Sequence, residues 1–380
     1  MRVLLIGEYS RLHNSLKEGL LKLGYDVIIV ANSDGFKEFP VDYSIDFKIC
    51  KTKLINIVRQ IIVRIFKYDL AKIEQGLRFY FLLKKMKNFD IVQFIHETPI
   101  KTDKRFEVFL LKKIFKANKK VFILSCGADY LNMYYDTTHK DKKSPLQPYF
   151  ENPKLIHEYN SLFDLLKENH KKAHQFVIEN CSGIIASDLD YFDAIKNHSK
   201  FLGLIPNPIN LDKLIFNELK IDNKIVVFLG INEWSYNQKG TVYFEKAVQI
   251  IQEKYLEKVE IIITRTIPYN KYINLYNKAH ILLDQNFAYD QGYNALEAMA
   301  KGKVVFTGAE QEFMEHYNIQ ERVCINAKPD IDYLVNELSF LIENPDEIIS
   351  IGKRARAFIE KEHHYIKIAE KYLAVWKKPN

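Results

Sequence analysis

Cysteine is scarce in this chain of 380 residues. The four present, Cys50, Cys126, Cys181 and Cys324, show no CxxC spacing. That argues against a zinc site and a disulfide framework, and fits a reducing cytoplasm. Glycine is sparse too, at 14 residues, and the first strand-to-helix turn, Gly7-Glu8-Tyr9-Ser10-Arg11, holds one. The second and third glycines of a dinucleotide fingerprint are missing and no GxxxxGK[ST] occurs, which argues against nicotinamide, flavin and P-loop chemistry. A lone glycine there is a tight turn, or a place where a ligand approaches backbone. No apolar run nears the ~20 residues of a membrane helix. The N-terminal apolar run is too short for a signal peptide and reads as a first strand. Acidic residues are thin in one stretch: between Lys51 and Lys120, 18 Lys and Arg face 6 Asp and Glu, against a net charge of +7 for the whole chain. Such a stretch is either a solvated face or a surface for an anionic partner: phospholipid, polyphosphate or nucleic acid. No nucleic-acid-binding motif accompanies it, so nucleic acid is not expected as a partner.

What is present is a foldable balance, 47% hydrophobic and 27% charged, in a chain long enough for two domains. Short apolar runs at Val3–Ile6, Val27–Val30, Ile91–Ile95, Val121–Leu124 and Gly183–Ala186 alternate with helical patterns. A second series follows at Ile225–Leu229, Val259–Ile263, Ile281–Leu283 and Val304–Phe306. Strand–helix alternation of this length predicts parallel sheets covered on both faces, hence an α/β chain of two Rossmann-like domains facing one another. Ile205-Pro206-Asn207-Pro208 is the expected hinge. Residues 130–159, rich in Tyr with three prolines, read as a long loop, either a lid or an insertion. The pattern from Ile366 to Trp376 predicts a final helix that crosses back over the first domain.

In Asp284–Gly302 a strand runs into a Gly292-Tyr293-Asn294 turn and then a helix carrying Glu297. Free N–H groups at that helix start can hold a phosphate. Glu297, one turn in, either accepts hydrogen bonds from ribose hydroxyls or is a carboxylate on the helix dipole. The run Gly292-Tyr293-…-Leu296-Glu297-Ala298-Met299-Ala300-x-Gly302 resembles the donor-site signature of GT-B glycosyltransferases of the GT4 type. Four segments agree in order: Phe89–Pro99 with His96, Gly127-Ala128-Asp129, Ile205–Asn210, and Lys239-Gly240.

The resemblance implies a GT-B fold with two Rossmann-like domains across a cleft. Residues 1–205 would bind the acceptor, 206–360 the donor, and 361–380 would form the returning helix. It implies a retaining glycosyltransferase, a hexosyltransferase-like enzyme, that moves a sugar from a nucleotide-diphosphate sugar to a glycan or lipid-linked acceptor in bacterial surface polysaccharide synthesis. Lys239 would stabilise the leaving phosphate together with N–H groups near Gly292, Tyr293 and Asn294. His96 and Glu297 would stand at the reacting sugar, Gly7 and Asn232 along the donor, and Asp129 on the acceptor side or as a loop cap. No divalent metal or other cofactor is expected, and Asp188-Leu189-Asp190 reads as a cap and helix-dipole feature rather than a metal motif. The chain departs from the pattern at Tyr289, where many members have a glutamate. Asp290 is a candidate substitute, and Asp284-Gln285 matches a branch of the family. Where the family has arginine after its strand, this chain has Ile231-Asn232, and Arg265 is a candidate for the missing charge. An epimerase of the same architecture and a non-catalytic sugar-nucleotide-binding protein are the alternatives.

Leu54, Ile57, Val58, Ile61, Ile62 and Ile65 share one helical face, with Arg59, Arg64 and Lys67 around the other. This helix either rests on anionic lipid, which would place the protein at the inner face of the cell membrane, or packs on its own sheet.

Overall fold

The structure, a computed structural model, describes residues 1–32, 38–66 and 68–378; Lys67 lies outside them. The strands are β1 (Arg2–Ile6), β2 (Asp26–Ala31), β3 (Tyr43–Ser44), β4 (Ile91–Phe94), β5 (Lys120–Ser125), β6 (Gly183–Ala186), β7 (Phe201–Leu204), β8 (Ile225–Ile231), β9 (Val259–Arg265), β10 (Ile281–Leu283), β11 (Val304–Thr307) and β12 (Ile325–Asn326). The helices of the first half are α1 (Leu12–Lys22), α2 (Lys53–Phe66), α3 (Leu70–Leu82), α4 (Lys104–Ala117), α5 (Tyr130–Thr138), α6 (Gln147–Glu151), α7 (Ile156–Phe163), α8 (Glu168–Asn180) and α9 (Phe192–Ile195). Those of the second are α10 (Thr241–Lys254), α11 (Tyr269–Lys278), α12 (Tyr293–Ala300), α13 (Gln311–His316), α14 (Ile331–Glu343), α15 (Pro345–Glu362) and α16 (Tyr365–Lys377).

Among the described residues the strands form two sheets, ordered β3-β2-β1-β4-β5-β6-β7 and β12-β11-β10-β8-β9. All their pairings are parallel. The inner strands are apolar without alternation because helices cover both faces. One face of the first sheet packs Leu4, Ile6, Val92 and Ile123 against α4 and α8. The other packs Val3, Leu5, Ile29 and Leu124 against α1 and α16. The second sheet is covered likewise. The sequence pattern misses β3, β7 and β12. Two are only two residues long, and β7 is half-buried throughout and contains Gly203, so none carries a strong apolar run.

Residues 130–159 are not a loop. They fold into α5, α6 and α7, which enclose a small core of Met133, Leu146 and Tyr159. The prolines start helical turns: Pro148 lies in the first turn of α6, and Pro153 opens the 3-10 turn ahead of α7, where a missing N–H costs nothing.

The chain crosses between the halves twice, and the crossings touch. Ile209 donates its N–H to the His363 carbonyl at 2.7 Å, and Tyr365 donates back to Ile209 at 3.1 Å. Beyond the return, α16 lies on α1, where a β-carbon on Gly19 would sit 2.5 Å from the Tyr365 carbonyl. Trp376, fully buried, donates its indole N–H to Gln93 at 3.2 Å. No helix among the described residues is long and apolar enough to cross a membrane.

Candidate active site

The C-terminal ends of β8, β9 and β10 open onto a cavity of about 630 Å³, the edge where parallel sheets bind ligands. Lys239 and Glu297 both line it, as do Asn232, Tyr293 and Asn294. The Lys239-Gly240 turn is locked to the loop after β10. Asn286 donates its N–H to the Lys239 carbonyl at 2.9 Å and its side-chain amide to the Gly240 carbonyl at 2.9 Å. This holds the Lys239 ammonium 2.9 Å from the almost buried Asp284 carboxylate. Asn294 extends the network by donating to Asp284 at 3.3 Å and accepting from the Tyr272 hydroxyl at 3.0 Å. Asp284 and Tyr272 are site residues that sequence reasoning did not assign. The Asp284-Gln285 pair was the available signal; Tyr272 had none.

Tyr293 stands where the halves meet. Its hydroxyl donates to the Pro208 carbonyl of the linker and lies 2.9 Å from Ser15 on α1. Its ring lines the first cavity and also a second one of about 370 Å³, against the first sheet. Ser10 likewise lines both. The second cavity is walled by His96, Asp188, Asn207, Tyr191 and Gly292, among others.

His96 is placed where expected, but both ring nitrogens are engaged. Nδ1 accepts from the Thr98 N–H at 3.2 Å, so Nε2 carries the proton and donates to the Ala128 carbonyl at 3.0 Å. Burial lowers its pKa against the opposing pull of Glu97, so the ring is neutral. It can shape the cavity and present a C–H edge, but it has no nitrogen to spare for moving a proton.

Several expected residues lie elsewhere. Gly7 lines neither cavity. Its backbone is left-handed (φ 87°), and a β-carbon would fall 2.2 Å from Ile95 Cγ2; it is a glycine because β4 ends against it. Arg265 points away from the cavity. Thr264 lines the wall, and strand alternation turns the next side chain outward, where Arg265 pairs with Glu233 and Glu245. Asp129 is the cap: it accepts from the Asn132 N–H at 2.7 Å. Burial, and then the charge of Glu97, push its carboxyl up to about 7.

Asp188 stands at the N-cap position of a 3-10 turn and Asp190 in its first turn, as the dipole reading expects, but Asp188 makes no side-chain capping bond. Asp190 instead accepts the Tyr289 N–H of the second half at 2.6 Å, and Asp290 of the second half accepts the Leu189 N–H of the first at 3.4 Å. Asp290 therefore sits at the interdomain seam and does not replace the family's glutamate in the cavity. The Tyr289 hydroxyl accepts from the Lys143 N–H, and Lys143 pairs with Glu310 at 2.5 Å. The helices of 130–163 thus reach the second half.

Residues 231–374 match the protein-family model described as glycosyl transferase-like. The architecture is the GT-B fold. Sucrose-phosphate synthase from Thermosynechococcus elongatus is similar over 99% of this chain and 98% of its own, with a TM-score of 0.59 at 14% identity. HepE from Anabaena, solved in complex with UDP and glucose, is similar over 98% of both chains, with a TM-score of 0.58 at 11% identity. A UDP-N-acetylglucosamine 2-epimerase from Listeria monocytogenes, described as putative, is similar over 98% of this chain and 95% of its own, with a TM-score of 0.54 at 11% identity. A search of curated protein sequences gives no significant match.

Proposed function

We propose that the protein is a retaining glycosyltransferase that moves a sugar from a nucleotide-diphosphate donor to a glycan or lipid-linked acceptor of a bacterial surface polysaccharide. One observation carries the reading. A cavity with a cation and two carboxylates, Lys239, Asp284 and Glu297, meets a second cavity at Tyr293 and Ser10. The match of residues 231–374 to the glycosyl transferase-like model and the UDP bound by HepE support it.

The donor diphosphate lies against Lys239 and the first-turn N–H groups of α12. The buried Asp284 carboxylate holds the ammonium at the wall. Glu297 accepts from the ribose, and the sugar projects past Tyr293 toward the second cavity, where the acceptor enters. The anomeric carbon–oxygen bond to phosphate breaks, and the acceptor oxygen bonds that carbon on the same face. The acceptor's proton passes to the leaving phosphate. Lys239 and the helix N-terminus stabilise the charge that builds there, worth several kcal/mol in a water-poor site. No nucleophilic side chain and no divalent metal is needed.

The exposed apolar face of α2 completes the reading: it rests on an anionic bilayer and brings a lipid-linked acceptor to the first half. None of the fourteen residues of α2 is buried. Lys51, Lys53 and Arg64 are exposed alongside, which complements anionic headgroups.

A thermal-shift screen of nucleotide-sugars tests the donor site. A ligand at 100 times its Kd stabilises by about 2.7 kcal/mol. Lys239→Ala and Glu297→Ala, each compared with its own ligand-free melting point, should lose most of that shift. Wild-type shifts in both variants would sink the assignment. Consumption of donor without acceptor, yielding an epimerised sugar, would identify an epimerase instead, the activity named for the Listeria neighbour. Donor binding without transfer to any acceptor would identify a non-catalytic binder.

A further inference from the structure

Trp234 is 86% exposed, yet it is not on a loose loop. Asn232 accepts its N–H at 3.2 Å, Ser235 donates to the Asn232 carbonyl at 3.0 Å, and Lys239 donates to the Ser235 carbonyl at 2.9 Å. The same turn is tied to the end of β9. The Glu233 N–H lies 3.4 Å from Thr266 Oγ1, and the Glu233 carboxylate pairs with Arg265 at 3.0 Å. A built turn thus holds a large flat ring in water at the wall of the first cavity. An indole left in solvent forgoes the burial of about 150–250 Å² that such a ring normally contributes, unless a ligand covers it. Its neighbours in the wall, Ile267, Pro268 and Tyr269, are apolar or aromatic.

We infer that Trp234 is the stacking platform for the donor's nucleobase. The inference rests on the donor reading above and assigns the part of the donor that reading leaves unplaced. The sugar faces the junction at Tyr293, since among the described residues that residue and Ser10 line both cavities. Lys239 takes the diphosphate and Glu297 the ribose. The base is then left for the wall made by Trp234 and the start of α11, and Trp234 lines the first cavity only. A planar π-system matches an indole face and needs no hydrogen-bond code. This platform therefore supplies affinity for any base, while the choice among bases falls to other groups.

The chain carries its own reporter. It has two tryptophans, and the other, Trp376, is 1% exposed and lies on α16 against Gln93 of the first sheet, in the other half of the chain. UDP, GDP and ADP are titrated against the wild type, Trp234→Phe and Trp234→Ala, by indole emission and by calorimetry, with inorganic pyrophosphate as the base-free probe. At least one nucleoside diphosphate should change wild-type emission and leave that of Trp234→Phe unchanged. Its affinity should fall about tenfold in Trp234→Ala and much less in Trp234→Phe. Pyrophosphate should bind all three alike. Equal affinity of the nucleotide for the wild type and Trp234→Ala overturns the stacking role and leaves the donor site standing. An equal fall for pyrophosphate also overturns it, because the loss would then belong to the turn and not to the base. Failure of every nucleoside diphosphate to bind the wild type overturns the donor reading itself.

Discussion

At Gly240 the backbone is left-handed (φ 65°), and a β-carbon would lie 2.9 Å from Phe287 and 3.0 Å from Asn286. Asn286 is the residue that pins the Lys239-Gly240 turn, so the glycine is needed both for its φ and for this close approach. Gly240→Ala should cost about 2 kcal/mol, from left-handed strain plus displacement of a packed neighbour, and should weaken nucleotide-sugar binding by moving Lys239. Urea denaturation and the thermal-shift screen measure the two effects; a variant with wild-type values in both would refute the account. The Lys-Gly pair is legible in the sequence only through its place in the order of the motifs it resembles, since its partners Asp284 and Asn286 lie beyond α10, β9, α11 and β10. Of the two readings of Gly7 the tight turn holds, and its second reason, Ile95, is not legible locally because it lies far along the chain. Arg265 was misread because its direction depends on the phase of β9, which one residue inverts.

Among the elements, α2 departs furthest from an ordinary surface helix. Leu54 is 79% exposed, and Ile57, Val58, Ile61 and Ile65 are each more than half exposed. An exposed apolar helix face of this kind marks an interaction surface. The helical period was plain in the sequence, but whether the face met a sheet or solvent was not, because periodicity is blind to what lies opposite. Replacing Leu54, Ile57, Ile61 and Ile65 together with Gln should change folding stability little, since each exposed site contributes within about 0.5 kcal/mol. The same variant should lose flotation with vesicles containing anionic lipid. Wild-type flotation that is equal on neutral and anionic vesicles, or unchanged in the variant, would remove the membrane from the reading. The helices of 130–163 teach the converse. Leu155, Ile156, Tyr159, Leu162 and Phe163 do recur at helical spacing, but Pro145, Pro148 and Pro153 cut the stretch into short pieces, which are ordered by a small shared core and by contact with both halves, Glu158 accepting from Asn237 at 2.7 Å.

Across the whole molecule, the halves are joined by the paired crossings at Ile209 and His364, by Tyr293, and by the reciprocal bonds of Asp190 and Asp290. Burial pushes the Asp290 carboxyl up to about 7 and that of Asp190 up to about 6. For Asp290 the folded protein holds its proton more tightly than the unfolded chain does. Its contribution to stability therefore falls as pH rises from about 4 to about 7, and levels off above that. Asp290→Asn removes this titration and keeps an oxygen for the Gln291 N–H, 2.7 Å away, but turns its amide nitrogen toward the Leu189 N–H and so gives up that seam bond at every pH. Its melting point relative to the wild type should therefore be highest at pH 8, and this gap should fall by a few degrees on acidification to pH 5. A gap that stays constant over that range would show that the seam carboxylate is not the titrating group.

The sequence by itself determined the two parallel sheets, the turn that presents Lys239 and the helix that carries Glu297. The sheets and the helix follow from local periodicity, and the Lys239 turn from its place in the order of the motifs it resembles. Only the tertiary structure decided that Tyr293 joins two cavities, that Asp190 and Asp290 hold the seam, that His96 has no nitrogen to spare, and that the indole of Trp234 stands uncovered. Those facts depend on which distant surfaces meet, and no local pattern of residues encodes a meeting between segments a hundred positions apart.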